Sequence, residues 1–279
     1  LGVVFKQKEF RNSSLDHPTI KLSAIVGADS FFYAIEDKKN DLIHLESFHL
    51  PRQIAFFQDS LDFLSVLLVE NPLLFESFSK KRFAIAGIPY FIVHQGALEQ
   101  QTPVELLSTV THLAALDTVC IQIIPALDSV CLFAIPNSLK SEIELYFDHP
   151  NYMHVQAAMI QWLSAQIESF ELDRLLSLNV VGQSLLVSAW QDGKLTFHNQ
   201  FKCPSIEDIS YFFGATLEFL GWGGGDFKLF VTGENKEETL KHEVLLKIYR
   251  TNSWDSIELK WPNETADFLD LYAVSKCAL

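Results

Sequence analysis

An internal repeat restricts the fold of this chain more than any other feature. Lys21-Leu-Ser-Ala-Ile-Val-Gly-Ala-Asp-Ser-Phe-Phe-Tyr-Ala-Ile recurs in pattern as Leu176-Ser-Leu-Asn-Val-Val-Gly-Gln-Ser-Leu-Leu-Val-Ser-Ala-Trp, each reading as strand, glycine turn, strand. Gly27 and Gly182 lie 155 positions apart, and Phe48-His49-Leu50-Pro51 matches Phe201-Lys202-Cys203-Pro204 at an offset of 153. A register kept within two residues over that distance implies a duplicated unit.

The next elements follow the same order in both copies. Gln191-Asp192-Gly193 joins two strands of the second copy, and Asp-Gly is a strong hairpin signal because both residues tolerate positive φ. Asp37-Lys-Lys-Asn-Asp41 gives the first copy a longer polar turn. After each proline, apolar residues step by three and four: Ile54, Phe57, Leu61, Leu64 and Leu68, then Ile206, Ile209, Phe213, Leu217 and Leu220. Each set makes one stripe of an amphipathic helix, and Ser205 with Asp208 reads as the cap of the second. Arg82–Gly87 and Lys228–Gly233 close the copies as apolar strands ending in glycine. Three strands, a helix and a strand are therefore expected twice.

Between the copies, Thr102-Pro103-Val104-Glu105 is a capping box that predicts a helix to about Ala115. Val119–Ile124 and Val130–Ile135 flank Pro125-Ala-Leu-Asp128 as a hairpin. Asn137–Phe147 reads as a helix, Met153–Ala157 as a strand and Met159–Ser169 as a helix. The end of the chain predicts a helix over Glu237–Tyr249, a strand near Ile257–Trp261 and a last helix over Thr265–Cys277. The expected division is a first lobe over 1–170, with an inserted α/β subdomain at about 100–158, and a second lobe over 171–279.

Composition narrows the function classes. The chain has 21 Lys and Arg against 35 Asp and Glu, a net charge of −14, so a nucleic-acid backbone or anionic lipid is repelled on average. Lys80-Lys81-Arg82 is the one short basic run weighed against this. The longest apolar run, Phe83–Val93, falls well short of the roughly 20 residues that span a bilayer, so no direct membrane insertion is expected. Cys120, Cys131, Cys203 and Cys277 lack C-x-x-C spacing and read as reduced thiols of a cytoplasmic protein. In a four-residue hairpin Cys120 and Cys131 become diagonal neighbours on one face, where buried inert thiols are the expected state. Residue 1 is Leu, consistent with a start removed upstream. The nine His show no metal spacing. Gly221-Trp-Gly-Gly-Gly-Asp226 follows a helix and leads into a strand, so it reads as a helix stop, whereas a phosphate loop leads into a helix. Gly182-Gln183-Ser184 lacks the second glycine of a nucleophile elbow, whose place Leu186 takes.

This tandem β-β-β-α-β layout with a small insertion resembles the actin-like ATPase superfamily, an α/β, ribonuclease H-like fold. The order of the inserted elements resembles that of the pilus-assembly and cell-division actin homologues. The whole chain after residue 19 is similar to a Bacteroidetes family of unknown function. The resemblance implies phosphate-loop positions at Gly27, Asp29, Gly182, Ser184 and Gly233, with ATP and Mg²⁺ as the family's cofactors. It also implies an Asp two residues before the glycine of each first hairpin, to hold Mg²⁺ and its waters. Here those positions are Ile25 and Val180. Phosphoryl transfer rests on such positioned charge, so the expectation is a non-catalytic, partner-binding scaffold without a cofactor, its protein or peptide partner at the inserted subdomain. The alternative is a nucleotide-binding ATPase or switch with relocated ligands such as Asp29 or Asp192. A sugar or acid kinase of the same superfamily requires a catalytic Asp with no assignable position.

Overall fold

The computed structural model describes residues 5–11, 20–27, 30–49, 67, 71–181, 184–223, 227–233, 243–254, 261 and 268–277. Backbone contacts divide the chain into a first unit, residues 1–161 with 270–279, and a second, residues 162–269.

The second unit shows the repeat in its plainest form. Strands β10 (Arg174–Val181), β11 (Ser184–Gln191), β12 (Lys194–Lys202) and β13 (Lys228–Thr232) form a sheet in the order β12-β11-β10-β13, with β10 and β13 parallel. Asp192 at φ 51° and Gly193 at φ 74° make the β11–β12 turn, as the Asp-Gly pair requires. Helix α4 (Ile206–Leu220) starts at the reciprocal Ser205–Asp208 cap and stops at Gly221, φ 69°. Ile209, Phe213 and Leu217 pack onto Leu178, Val180, Leu185 and Val187, so the stripe buries one face of the sheet. Helix α5 (Glu243–Asn252) adds Leu245 to that core.

The first unit repeats the order. Strands β2 (Lys21–Val26), β3 (Ser30–Glu36), β4 (Leu42–His49) and β5 (Lys80–Ile85) run β4-β3-β2-β5, again with the first and last parallel. The β3–β4 turn is closed by Asp37, whose Oδ1 accepts from Lys39 N and Asp41 N at 2.7 and 2.9 Å. Two strands extend this sheet to six. β1 (Phe5–Arg11) pairs with β4, and β9 (Asn151–His154) runs parallel to β5. The repeat does not foretell β1, which lies upstream of the duplicated segment.

A separate sheet, β6-β8-β7, comprises Tyr90–His94, Ser129–Ile135 and Thr118–Ile124. It takes in a strand upstream of residue 100. Helix α1 (Pro103–Ser108) covers one face, its Leu106 and Leu107 packed with Val130 and Leu132. The Thr102–Glu105 capping box forms as expected, but the helix stops seven residues before Ala115. Ser108 Oγ and Thr109 Oγ1 donate back to the Val104 and Leu106 carbonyls, and the following Val110-Thr111 pair is β-branched. Helix α2 (Asn137–Tyr146) lies where expected.

Two further boundaries move. The strand expected at Met153–Ala157 ends at His154, and helix α3 (Val155–Phe170) begins at once, because His154 Nδ1 accepts from Gln156 N at 3.2 Å and caps it. The last helix, α6 (Leu269–Lys276), groups with the first unit rather than with the second lobe, since Lys276 and Ser275 bond to Glu36 at the end of β3. The expected helix over 54–68 lies outside the described residues apart from the buried, helical Leu67. So do residues 237–242 of the next expected helix, the strand near 257–261 apart from Trp261, and residues 224–226.

Candidate functional site

Of the residues expected to approach a phosphate, Gly27, Ser184 and Gly233 lie at or beside strand ends. Gly27 follows β2, and its N–H donates to Ser30 O at 2.8 Å, so this donor is used within the β2–β3 turn. A side chain there would meet Ser30 Oγ at 2.6 Å. Asp29 and Gly182 lie outside the described residues.

Ser184 opens β11 opposite Val181, and its Oγ accepts from Gln200 Nε2 at 3.1 Å across the hairpin. Gly233 follows β13 at φ 107°, where an added Cβ would stand 2.1 Å from Val180 O and 2.8 Å from Asn179 Oδ1. Glycine is required there by both the backbone angle and the close approach. The second unit thus brings Gly233 and the end of β10 together, with Ser184 pairing the last residue of that strand, while Gly27 belongs to the first unit.

Ile25 and Val180, at the positions where the resemblance implies metal carboxylates, are 5% and 2% exposed. Val180 is part of the core beneath Phe213. Asp192, weighed as a relocated ligand, is excluded from the Ser184 turn. It lies at the other end of β11, about 25 Å away at ~3.3 Å per residue. Among the described residues, no group of three or more His, Cys, Asp or Glu is placed to hold a metal ion.

Two polar clusters, one buried and one partly buried, escaped sequence reasoning. In the first unit Tyr33 Oη donates to Glu46 Oε2 and lies 3.0 Å from His44 Nε2, itself 3.4 Å from Glu46 Oε1. In the second, Ser188 Oγ and His198 Nδ1 are 2.8 Å apart, and burial lowers the His198 pKa to about 4. The neighbouring Ser177, Asn179 and Thr232 are buried on the same face. The signal for both clusters was register, since cross-strand partners place these residues side by side. A neutral imidazole beside a serine hydroxyl is suited to hydrogen bonding within the sheet.

The inserted sheet presents a different chemistry. β7 is an outer strand among the described residues, and its Ile121 and Ile123 are 48% and 58% exposed. Its inner face is polar at one point, where Gln122 Oε1 accepts from His154 N at 2.8 Å. Cys120 pairs with Phe133 and Cys131 with Gln122, which makes the two cysteines the diagonal neighbours expected. All four cysteines are free.

Solved structures share this architecture. The chain is similar to a Bacteroides thetaiotaomicron protein with actin-like ATPase fold and unknown function, with a TM-score of 0.76 and 16% identity over 95% of this chain and 100% of that one. It is also similar to a chain of the PilM-PilN type IV pilus biogenesis complex, with a TM-score of 0.61 and 11% identity over 91% of this chain and 96% of that one. These likenesses show the actin-like ATPase fold. No curated protein matches in sequence. No helix among the described residues is long and apolar enough to cross a membrane. The chain belongs to the family described as Protein of unknown function (DUF3822), whose profile matches residues 11–251.

Proposed function

We propose that this protein is a non-catalytic actin-like scaffold that binds a partner protein or peptide through its inserted sheet and works in the cytoplasm without a nucleotide. The observation that carries the first part is the buried aliphatic pair Ile25 and Val180, which supplies no carboxylate to a metal-bound triphosphate. Gly27 adds to this, because its N–H is already bonded to Ser30 O. Partner binding is supported by Ile121 and Ile123, exposed on an outer strand that can take another strand beside it. The similar PilM chain is found in a complex with PilN. The net charge of −14 disfavours nucleic acid and anionic lipid as that partner.

The test of the first part is the melting temperature with and without Mg²⁺-ATP. A ligand at 100 times its Kd stabilises the native state by about 2.7 kcal/mol, so the scaffold reading expects no shift and a clear rise refutes it. For the second part, Ile121→Asp with Ile123→Asp abolishes capture of the physiological partner while the chain stays folded. Unchanged capture rejects the inserted sheet as the docking surface.

A second reading, a nucleotide-dependent switch with atypical ligands, draws support from Gly233. Its positive φ and its closeness to Val180 and Asn179 leave a side-chain-free strand end beside the Ser184 hairpin. The same Mg²⁺-ATP experiment separates the two readings.

A further inference from the structure

At the end of the first sheet remote from the Gly27 turn, four cations converge on one face. Lys21 opens β2 and Lys80 opens β5, and the two are register partners across the parallel pair. Lys21 also faces Glu36 across β2–β3, and Arg82 stands two residues beyond Lys80, opposite Ser23. Lys276 reaches the same place from α6 and pairs with Glu36 Oε1. Asn40 Oδ1 accepts from Lys21 Nζ at 2.6 Å. Lys80 is close enough to its neighbours that, after burial, the charges of Arg82 and Lys21 are the main causes lowering its pKa.

Arg82 is the critical member. It is 7% exposed, and its Nε and Nη1 have no hydrogen-bond partner among the described residues. A guanidinium does not escape such a site by losing its proton, and an uncompensated buried charge is among the costliest features in a folded protein. Glu36 offsets part of this charge, and its Oε1 is shared with Lys276 and Ser275. Asp37, next to Glu36 in the chain, has its Oδ1 used within its own turn. In a chain of net charge −14, a concentration of cations around an unpaired arginine fork calls for an anion.

We infer that this end of the sheet is a binding site for a phosphate-class oxyanion, free or carried as a monoester, gripped by Arg82 and Lys80 with Lys21 beside them. A tetrahedral dianion accepts from the planar fork at two oxygens and leaves the others for ammonium donors. The site is distinct from the glycine turns, because Lys21 and Gly27 are at opposite ends of β2, about 20 Å apart at ~3.3 Å per residue. It gives a role to Arg82 and to the first lysine of the Lys80-Lys81-Arg82 run. Lys81 points to the other face and donates to Asp148 O at 2.9 Å.

The experiment is calorimetric titration of the full chain with inorganic phosphate and, separately, phenyl phosphate, at constant ionic strength with chloride as control. Saturable binding of either is expected, weakened about tenfold or more by Arg82→Gln, the loss of one charge-assisted bond. Lys80→Gln, at a half-exposed position that leaves the fold intact, weakens it severalfold. Tighter binding of phenyl phosphate identifies a phosphoryl group on a larger molecule as the ligand, and equal binding identifies the free ion. Arg82→Gln is also expected to melt close to the parent in phosphate-free buffer, because removing a buried cation with unsatisfied donors offsets the loss of its attraction to Glu36. Absence of heat with both ligands, or affinity unchanged in Lys80→Gln and Arg82→Gln, overturns the assignment.

Discussion

Lys276 Nζ, on the last helix, pairs with Glu36 Oε1 at the end of β3, across 240 positions of sequence. The carboxylate is almost fully buried and the lysine only partly so, and Ser275 Oγ adds a bond at 3.3 Å. The pair fastens α6 to the sheet that opens the chain. Lys276→Met removes the ion-pair partner and leaves Glu36 in low dielectric with the Arg82 charge as its remaining offset, at an expected cost of up to about 3 kcal/mol. Urea unfolding measures this, and the double variant Glu36→Gln with Lys276→Met is expected to recover more than half of the loss. Equal stability of the single variant and the parent would show that the carboxylate has other adequate partners.

Gly233 and Gly87 form a contrast that separates backbone strain from steric conflict. Both have positive φ, 107° and 75°, but a Cβ at Gly87 meets nothing within 4 Å whereas one at Gly233 collides with Val180 O. Gly87→Ala is expected to cost about 1 kcal/mol, the backbone penalty alone. Gly233→Ala should cost at least about 3 kcal/mol, because β13 must move away from β10. Thermal unfolding of the two variants side by side checks the ordering.

The four thiols should be unreactive in the folded chain. Burial pushes Cys120 up to about 11 and Cys277 up to about 12, and drives Cys131 higher than either. Since the thiolate is the reacting form, modification by a disulfide reagent near pH 8 is expected to be about 100-fold slower in the native chain than in denaturant. A thiol that reacts at the denatured rate would show that burial does not protect it.

The duplication was legible because each of its marks acts locally. Asp192-Gly193 fixes a turn, Ser205-Asp208 starts a helix, and the stripe through Phe213 faces one sheet. The Cys120–Cys131 relation followed from hairpin register for the same reason. What escaped depends on distant parts of the chain. Nothing near Lys276 announces Glu36, so α6 read as part of the second lobe. His154 looked like one residue of a strand, although its ring nitrogen begins α3. Of the positions expected for a phosphate loop, Gly233 is marked in sequence by its place after an apolar strand, but its closeness to Val180 is a property of the β10–β13 pairing. The unpaired state of Arg82 is likewise a matter of burial, which a basic tripeptide in sequence does not reveal.

His198 gives the second unit a pH dependence whose sign can be worked out. Burial holds its folded pKa at about 4, below the ordinary 6.5, so between those values the unfolded chain binds more protons than the folded one. Stability from this residue is therefore complete above pH 6.5 and is lost as pH falls towards 4. At about 1.36 kcal/mol per pH unit the upper limit is about 3 kcal/mol, and partial exposure of the ring reduces it to about 1–2 kcal/mol. Other groups titrate in the same range, so the quantity to measure is the difference from His198→Gln, which keeps a partner for Ser188 Oγ without an ionisable ring. Urea unfolding at pH 7 and pH 4.5 should show the parent losing about 1–2 kcal/mol more than the variant. Parallel losses would mean that the imidazole charges without leaving the sheet, and that Ser188 accepts its proton as readily as it donates its own.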